Sequence, residues 1–315
     1  MDDISLPPSV PSLPSDVGSS CSASESQDSE AETLRLSDGE FNLPDSESDS
    51  DSRMGDELSL QDVDMMPSEP EEALGLPSLA GSLVPLPHQV SGLTAQHVAE
   101  YYSPPRVLPA ARRLGLQGCL SLDLLTGWDL ANREVQRAAT QLLTTVTVAF
   151  LILCPPCTAF SPLQAMWNYT KMAPAKVQAN MEAGMVHLRF AMDCALLQCR
   201  AGRVFVFEHP ANATSWATAE VQRVLAMPGV AVVVFDQCMT GLASPLGTPI
   251  RKRTRLMTNS PGVVQAFLGR RCDRSHEHLP CWGFEHGIQL STWCQAYPAP
   301  MVDLLASSAL RCCFP

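Results

Sequence analysis

The chain has 315 residues and a formal net charge of −12, and this charge is distributed very unevenly. Residues 1–72 contain 20 of the 33 acidic residues and only two basic ones, whereas the remaining 243 residues contain 13 acidic and 19 basic residues. An acidic segment therefore precedes a mildly basic body of one or two domains. The basic excess permits a polyanionic partner but does not require one.

Cysteine usage and hydropathy exclude two classes of protein. Twelve cysteines in a chain of this length are not the framework of a small disulfide-bonded domain, and the acidic N-terminus lacks the features of a signal peptide. The most apolar stretch, residues 142–153, is too short to cross a bilayer. We therefore expect an intracellular protein with reduced thiols and no membrane contact.

The first 90 residues are rich in Ser, Pro, Asp and Glu, including the run D-S-E-S-D-S-D-S at 45–52. Such a composition cannot bury enough apolar surface to offset the entropy lost on ordering, so residues 1–90 are predicted to be a disordered acidic tail. We expect the acidic tail to bind a protein partner that the sequence does not identify. Residues 91–315 are then predicted to form the folded domain.

The folded part begins with segments of weak pattern. Residues 94–118 are predicted to be a lead-in, with Y-Y-S-P-P-R-V-L-P at 101–109 extended over a surface, followed by a short strand at 119–125. Asp123 lies at the end of this strand and Gly127 lies in the turn that follows it. A strand, a glycine turn and a helix in this order begin many nucleotide and cofactor pockets.

The centre of the chain is the apolar run 146–153, which stops at Pro155 and Pro156. Such a run predicts a strand that is buried on both faces, and the prolines force the chain out of the sheet. Cys157 therefore follows the carboxyl end of a central strand, where partial exposure and nearby backbone N–H groups favour a reactive thiolate. A buried, inert cysteine is the alternative.

Strands and helices alternate after this point, with Glu208 in E-H-P directly after a strand. The pattern predicts an α/β fold with a mostly parallel, doubly wound sheet covered on both faces. Residues 259–315 are predicted to form a small C-terminal extension that contains Cys and His. A first helix is predicted from one apolar face, formed by Val135, Ala138, Ala139, Leu142 and Leu143. The later predicted elements are a helix at 176–200, a strand at 204–207, a helix at 216–226 capped by Ser215, a strand at 230–235, a strand at 256–259 and a last short helix opening at Ser260-Pro261.

Three motifs follow one another in a characteristic order. The first is P-P-C-x-x-F-S, the second is a strand ending in Glu-x-Pro, and the third is G-x-P followed by alternating arginines. Over roughly residues 119–260 the chain thereby resembles the cytosine-5 DNA methyltransferases. The matching residues are Pro155, Pro156, Cys157, Phe160, Ser161, Glu208, Gly247, Pro249, Arg253 and Arg255, the last two with a one-residue offset; S-L-D-L-L-T-G-W-D at 121–129 is similar to the cofactor motif of that family.

The resemblance implies a Rossmann-like methyltransferase fold, DNA as substrate and S-adenosylmethionine as methyl donor. It implies that the Cys157 thiolate attacks carbon 6 of a flipped cytosine, while Glu208 stabilises the charge that develops at ring N3. Arg253 and Arg255 would hold the base oxygen and a phosphate. The cofactor would be placed by Asp123, Gly127, Pro155 and Phe160, and a protein that acts on DNA would be nuclear.

Several features depart from the family. Asp123 and Pro155 are 32 positions apart, which leaves room for one helix, and no acid for the cofactor ribose is evident there. About 55 residues follow Asn259, fewer than a usual target-recognition domain needs. An active enzyme and a domain that keeps the fold without the chemistry both fit this pattern. Compact domains of this kind also resemble parts of mobile-element polyproteins.

Two other classes of function remain open. Cys154-Pro-Pro-Cys157 is a C-x-x-C sequence after a strand, which is typical of thiol redox proteins. Separately, thiolate and imidazole side chains cluster in the C-terminal part, and such ligands suit structural zinc. The second pattern predicts a zinc-stabilised nucleic-acid-binding module without catalysis. Its candidate ligands are Cys272, His276, His278 and Cys281, with Cys238 as a further partner.

Overall fold

The computed structural model describes residues 95–314, so the predicted disordered tail, residues 1–90, lies outside the described part of the chain. A six-stranded sheet forms its centre, with the strands β1 (Ala95–Tyr101), β2 (Cys119–Leu122), β3 (Thr147–Leu153), β4 (Val204–Pro210), β5 (Ala231–Asp236) and β6 (Arg253–Thr258). Their order across the sheet is β2-β1-β3-β4-β6-β5. All neighbouring strands are parallel except β6, which is antiparallel to both β4 and β5. The α/β architecture and the mostly parallel sheet are therefore confirmed.

Helices cover both faces of this sheet because successive strand residues point to opposite sides. The helices are α1 (Leu108–Arg113), α2 (Arg133–Thr145), α3 (Pro174–Arg200), α4 (Ala219–Leu225), α5 (Pro261–Phe267), α6 (Leu290–Trp293) and α7 (Ala299–Cys313), and a short hairpin joins β7 (Phe284–Glu285) to β8 (Ile288–Gln289). In β3, Leu151 and Leu153 pack into one core with α2, α3 and α4, whereas Phe150 and Ile152 pack into a second core with α1, α5 and α7.

Strand β1 corrects the prediction that residues 94–118 are a lead-in, with residues 101–109 extended over a surface. It lies inside the sheet between β2 and β3, and its Val98 and Tyr101 are fully buried. The apolar pattern of this strand is weak because it also contains Glu100, whose carboxylate is buried. This carboxylate accepts hydrogen bonds from the three consecutive backbone N–H groups of residues 106–108 and so folds the next loop back onto the strand. A local, satisfied carboxylate therefore allows an acid inside a central strand.

The other elements lie close to their predicted positions, with differences at their ends. β2 stops at Leu122, and β4 continues through Glu208, which is thus a strand residue. The cap of α4 is Thr218, while Ser215 belongs to a preceding 3₁₀ turn.

Helix α7 was not predicted, and it packs against α1, α5 and strands β1 and β3. Its Met301 and Leu305 are buried in the second core, so the C-terminal residues contribute to the main domain. Across the described residues, no helix combines the length and the apolar character needed to cross a membrane.

Candidate functional site

The order of the sheet defines where a ligand is expected. The chain passes from β1 outward to β2 and then returns to place β3 on the other side of β1. Loops at the carboxyl ends of β1 and β3 therefore diverge at this switch point and leave a crevice between them. The P-P-C turn, residues 155–157, follows β3 at this crevice.

Cys157 is half-buried and precedes a 3₁₀ turn, Thr158–Phe160. Burial raises the pKa of this thiol, the carboxylate of Glu208 raises it further, and the positive charge of Lys252 opposes both. The thiol is thus the resting form at neutral pH, whereas its position in the sequence favoured the thiolate. Cys154 lies deeper, with its Sγ 2.8 Å from the Tyr297 hydroxyl.

Glu208 lies near the end of β4, the strand next to β3, and its side chain is buried. Its Oε1 makes no hydrogen bond to any described residue. A buried carboxylate oxygen without a partner is costly, and such groups are found where a ligand or a reaction needs them. Glu208 is close enough to Cys157 to change the pKa of its thiol, so the structure brings these two predicted residues together.

Lys252, directly before β6, is a third member of this group that the sequence analysis did not single out. Its Nζ donates a hydrogen bond to the carbonyl of Cys294 at 3.1 Å. Although burial opposes its charge, the Glu208 carboxylate and the Cys157 and Cys281 thiols raise the pKa of Lys252. A signal was present, because without the one-residue offset Lys252 itself occupies the first arginine position of the third motif.

Arg253 and Arg255 lie on the other side of the sheet from Glu208. Across the β4–β6 pair, Arg255 lies opposite His209, while Glu208 lies opposite Leu256. Since adjacent strand residues point to opposite faces, the two arginines and Glu208 are separated by the sheet. Arg255 stacks over a tryptophan ring at 4.8 Å, and Arg253 forms an ion pair with a buried carboxylate; the partners are Trp216 and Asp236.

His209 has a positioning role that the sequence analysis missed. Its Nε2 lies 3.2 Å from the carbonyl of Pro155, and its Nδ1 lies 2.7 Å from the hydroxyl of Ser215. Burial lowers the pKa of His209 to about 4, so the ring is neutral at neutral pH. The imidazole therefore ties the P-P-C turn to the end of β4. Its only sequence signal is its place next to Glu208.

The four predicted cofactor residues have local structural roles. The Asp123 carboxylate accepts a hydrogen bond from a backbone N–H at 2.9 Å and caps the turn that ends at Gly127, whose φ of +86° favours glycine. The Pro155 carbonyl is engaged by His209, and Phe160 is buried in the core.

A cavity of about 310 Å³ lies between the segment that follows Cys157 and helix α3. His187 is one of its walls; its carbonyl accepts a hydrogen bond from the hydroxyl of Tyr102, which directly follows β1, so the cavity lies at the switch point. The buried Nδ1 of His187 makes no hydrogen bond to any described residue. The volume is at the lower end of that of ligand pockets. The lining residues are Pro156, Thr158, Ala159, Gln164, Tyr169, Met172, Asn180, Ala183, Gly184 and His187, none of which is a predicted cofactor residue.

A separate cluster of side chains could hold a metal ion. One ligand atom from each of Cys238, Cys272, His276 and His278 lies within 4.8 Å of all the others. The Cys272 Sγ lies 3.4 Å from the Nε2 of His278 and 3.7 Å from that of His276. Two thiols and two imidazoles are a ligand set that zinc prefers. The predicted partner Cys238 therefore joins three ligands that are more than thirty positions away.

Asp236 supports this cluster from the end of β5. Its buried carboxylate accepts hydrogen bonds from the backbone N–H of Cys272 at 3.0 Å and from the side chains of Arg253 and Arg271. Although burial alone would raise its pKa, these hydrogen bonds and charges lower it overall. The carboxylate thus fixes the segment of Cys272 next to Cys238.

The fifth predicted ligand, Cys281, belongs to a different pair. Its thiol is hydrogen-bonded to Cys294, and this contact together with Lys252 outweighs burial and lowers the pKa of Cys281 to about 7. Cys281 packs on the small apolar cluster that contains Cys294. It therefore lies on the Cys157 side of the molecule and outside the four-residue metal cluster.

No protein-family model matches this chain, and no curated protein shows significant similarity to it.

Proposed function

We propose that this chain is a methyltransferase-like enzyme that uses Cys157 to attack carbon 6 of cytosine in DNA, with S-adenosylmethionine as methyl donor. The observation that carries the proposal is the juxtaposition of Cys157, Glu208 and Lys252 where β3 and β4 end and the antiparallel β6 begins. A nucleophile, a buried carboxylate and a cation are the groups that this reaction requires.

In the proposed reaction, the Cys157 thiol gives its proton to water, and the charge of Lys252 favours the resulting thiolate. The sulfur then forms a bond to carbon 6, and the electrons of the ring double bond move to carbon 5. Glu208 stabilises the charge that develops at ring N3. Once carbon 5 has received a methyl group, its proton passes to water and the bond between sulfur and carbon 6 breaks, which regenerates the thiolate.

S-adenosylmethionine supplies an electrophilic methyl group when it is bound. The cavity between α3 and the turn after Cys157 is the place we propose for part of such a cofactor, because it lies at the switch point and His187 is among its lining residues. Asn180 and Gln164 would provide its further polar contacts. Lys252 would take the place expected for the first arginine, since Arg253 is held by Asp236.

Covalent capture on DNA that contains 5-fluorocytosine tests this proposal, because carbon 5 then has no proton to lose. Wild-type protein with S-adenosylmethionine should form a stable adduct, and Cys157→Ser should form none. Glu208→Gln should slow capture by roughly a hundredfold or more. Arg137→Ala, on the exposed face of α2, is the control and should behave as wild type. Absence of both capture and cofactor binding would refute the enzyme proposal.

A second candidate function is a zinc-stabilised nucleic-acid-binding module without catalysis. It is favoured by the four-residue cluster, whose ligands would fill a tetrahedral site and leave no open position for chemistry. Metal analysis of purified protein should find one zinc per chain in wild type and a loss of zinc in Cys272→Ser. The thiol redox alternative has less support, because Cys154 is hydrogen-bonded to Tyr297 in the second core.

A further inference from the structure

Two exposed tryptophans meet beside the Cys157 crevice. The rings of Trp167 and Trp282 are 4.8 Å apart in an edge-to-face arrangement, and each side chain is 44% exposed. Phe284, two residues after Trp282, is 73% exposed. Clusters of exposed large aromatic side chains are unusual on protein surfaces, and they mark binding sites. We call Trp167, Trp282 and Phe284 the aromatic platform.

The platform joins the two segments of the chain that surround the proposed active site. Trp167 belongs to the segment that continues from Cys157, ten residues further on. Trp282 directly follows Cys281, whose thiol is close enough to Cys157 and Lys252 to change the pKa of each. A strand that lies on the platform would therefore lie next to the two segments that carry Cys157 and Cys281.

These two segments also contain the excess of basic over acidic residues in the described part of the chain. Residues 157–181 contain two lysines and no acidic residue, and residues 246–282 contain seven basic and two acidic residues. The other residues from 95 onward contain ten basic and eleven acidic residues, so the basic excess lies in these two segments, although Arg253 and Arg271 of the second segment are paired with Asp236. Lys171, Lys176 and Arg274 are exposed there. A polyanion is the partner that complements this charge.

We infer that the aromatic platform binds a single strand of nucleic acid and that single-stranded DNA is the substrate form of the proposed enzyme. The inference rests on the proposed function for the reaction at Cys157, but the binding itself does not require catalysis. Exposed rings beside basic side chains provide stacking for unpaired bases and contacts for phosphates. Duplex DNA hides its base faces inside the helix, so it offers the rings no base face for stacking. A protein partner without acidic side chains would use the rings but would not need the lysines and Arg274.

Equilibrium binding of a labelled oligothymidine of about 12 nucleotides to the full chain tests the inference. The Cys157→Ser background is used so that binding is measured apart from chemistry. The single strand should bind at least tenfold more tightly than a duplex of equal length and should quench tryptophan fluorescence. Trp167→Ala and Trp282→Ala should each weaken binding by roughly tenfold, while Trp167→Phe and Trp282→Phe keep most of the affinity because a ring remains for stacking.

Leu268→Ala is the matched control, since this exposed apolar side chain lies in the turn after α5 and should not affect binding. Thermal melting of each variant separates a loss of contact from a loss of fold. Duplex binding as tight as single-strand binding, or affinity that is insensitive to both Ala substitutions, would overturn the inference.

The test also separates the inference from the proposed function. Single-strand binding that depends on the tryptophans, together with no capture of 5-fluorocytosine by wild type, would refute only the enzyme. Capture that is equally fast on duplex and single strands, with no effect of the tryptophans, would refute only the platform. Direct binding of an acidic polypeptide such as polyglutamate, with no binding of oligothymidine, would assign the surface to a protein and overturn the inference.

Discussion

At the scale of single residues, the charges of Glu208 and Lys252 act on Cys157 in opposite directions. The carboxylate raises the pKa of the thiol and the ammonium lowers it. The same carboxylate is needed for the proposed reaction, so its removal should have opposite effects on thiol reactivity and on catalysis. This divergence distinguishes a catalytic acid from a residue that merely shapes the crevice.

We predict that the Cys157 thiol of the Glu208→Gln variant is alkylated faster than that of wild type at neutral pH, although the variant captures DNA with 5-fluorocytosine more slowly. Because the wild-type pKa of Cys157 is raised, alkylation should increase as pH rises through that pKa, and the substitution should move the rise to lower pH. Lys252→Met should move it to higher pH, while Lys252→Arg should stay near wild type. Rates of iodoacetamide labelling between pH 6 and pH 10, read by mass spectrometry, check this. Identical pH profiles would show that the three groups are not coupled.

Cys281 should be the most readily labelled of the thiols around Lys252. Its pKa is lowered to about 7, whereas burial raises the pKa of Cys154 and of Cys157. A limiting amount of iodoacetamide at pH 7.5 should therefore modify Cys281 first, Cys157 next and Cys154 last, and labelling of Cys281 should fall below pH 7. Peptide mapping gives the order. Equal labelling of Cys154 and Cys281 would contradict it.

At the scale of elements, helix α3 sets the position of the turn after Cys157. Gly184 in this helix lies so close to the turn that an added Cβ would be 2.6 Å from the Cβ of Ala159 and 3.3 Å from the Phe160 ring. Since Phe160 is buried and His209 holds the P-P-C turn from the other side, neither neighbour can move freely. The helix, the turn and the cavity are thus coupled through one close approach.

Gly184→Ala should destabilise the protein by about 1–3 kcal/mol, because overpacking outweighs the gain in helix propensity. It should also slow capture at Cys157 by displacing the turn. Gly262→Ala in α5 is the control, since its added Cβ would meet nothing closer than 3.7 Å and should be neutral or slightly stabilising. Urea unfolding and capture rates measure both effects. A Gly184→Ala protein as stable and as active as wild type would show that the turn yields easily.

At the scale of the whole molecule, the metal cluster connects two distant parts of the chain. Cys238 follows β5, while the other three candidate ligands lie at 272–278, beyond β6 and α5. Asp236 holds the same two parts together through its bonds to Arg253 and Cys272. A bound zinc ion would thus hold the end of the edge strand β5 to the segment 272–278.

Removal of metal by a chelator should lower stability by about 3 kcal/mol or more, which corresponds to a fall in melting temperature on the order of 6–12 °C. Cys272→Ser should show the same fall without chelator and should no longer respond to it. Cys119→Ser, in the edge strand β2 outside the cluster, should melt as wild type does and keep its response. Calorimetry with and without added zinc makes the comparison. A chelator that leaves the wild-type melting curve unchanged would exclude a structural metal.

Local pattern in the sequence was sufficient for part of this protein. The apolar run and the two prolines placed Cys157 after a central strand, and the E-H-P sequence placed Glu208 at the end of the neighbouring strand. Both inferences depend only on residues within one element and its exit. The metal ligands 272–278 were likewise evident because Cys and His are dense within seven positions.

The tertiary structure alone decided the features that depend on distant residues. β1 was missed because the carboxylate of Glu100 is satisfied by the loop that follows, which removes the cost of burying it. Lys252 faces Glu208 while Arg253 and Arg255 do not, because the antiparallel pairing of β6 with β4 determines which face each side chain takes. The contact between Trp167 and Trp282 joins residues 115 positions apart. Such contacts are set by the packing of whole elements, on which a local sequence pattern has no bearing.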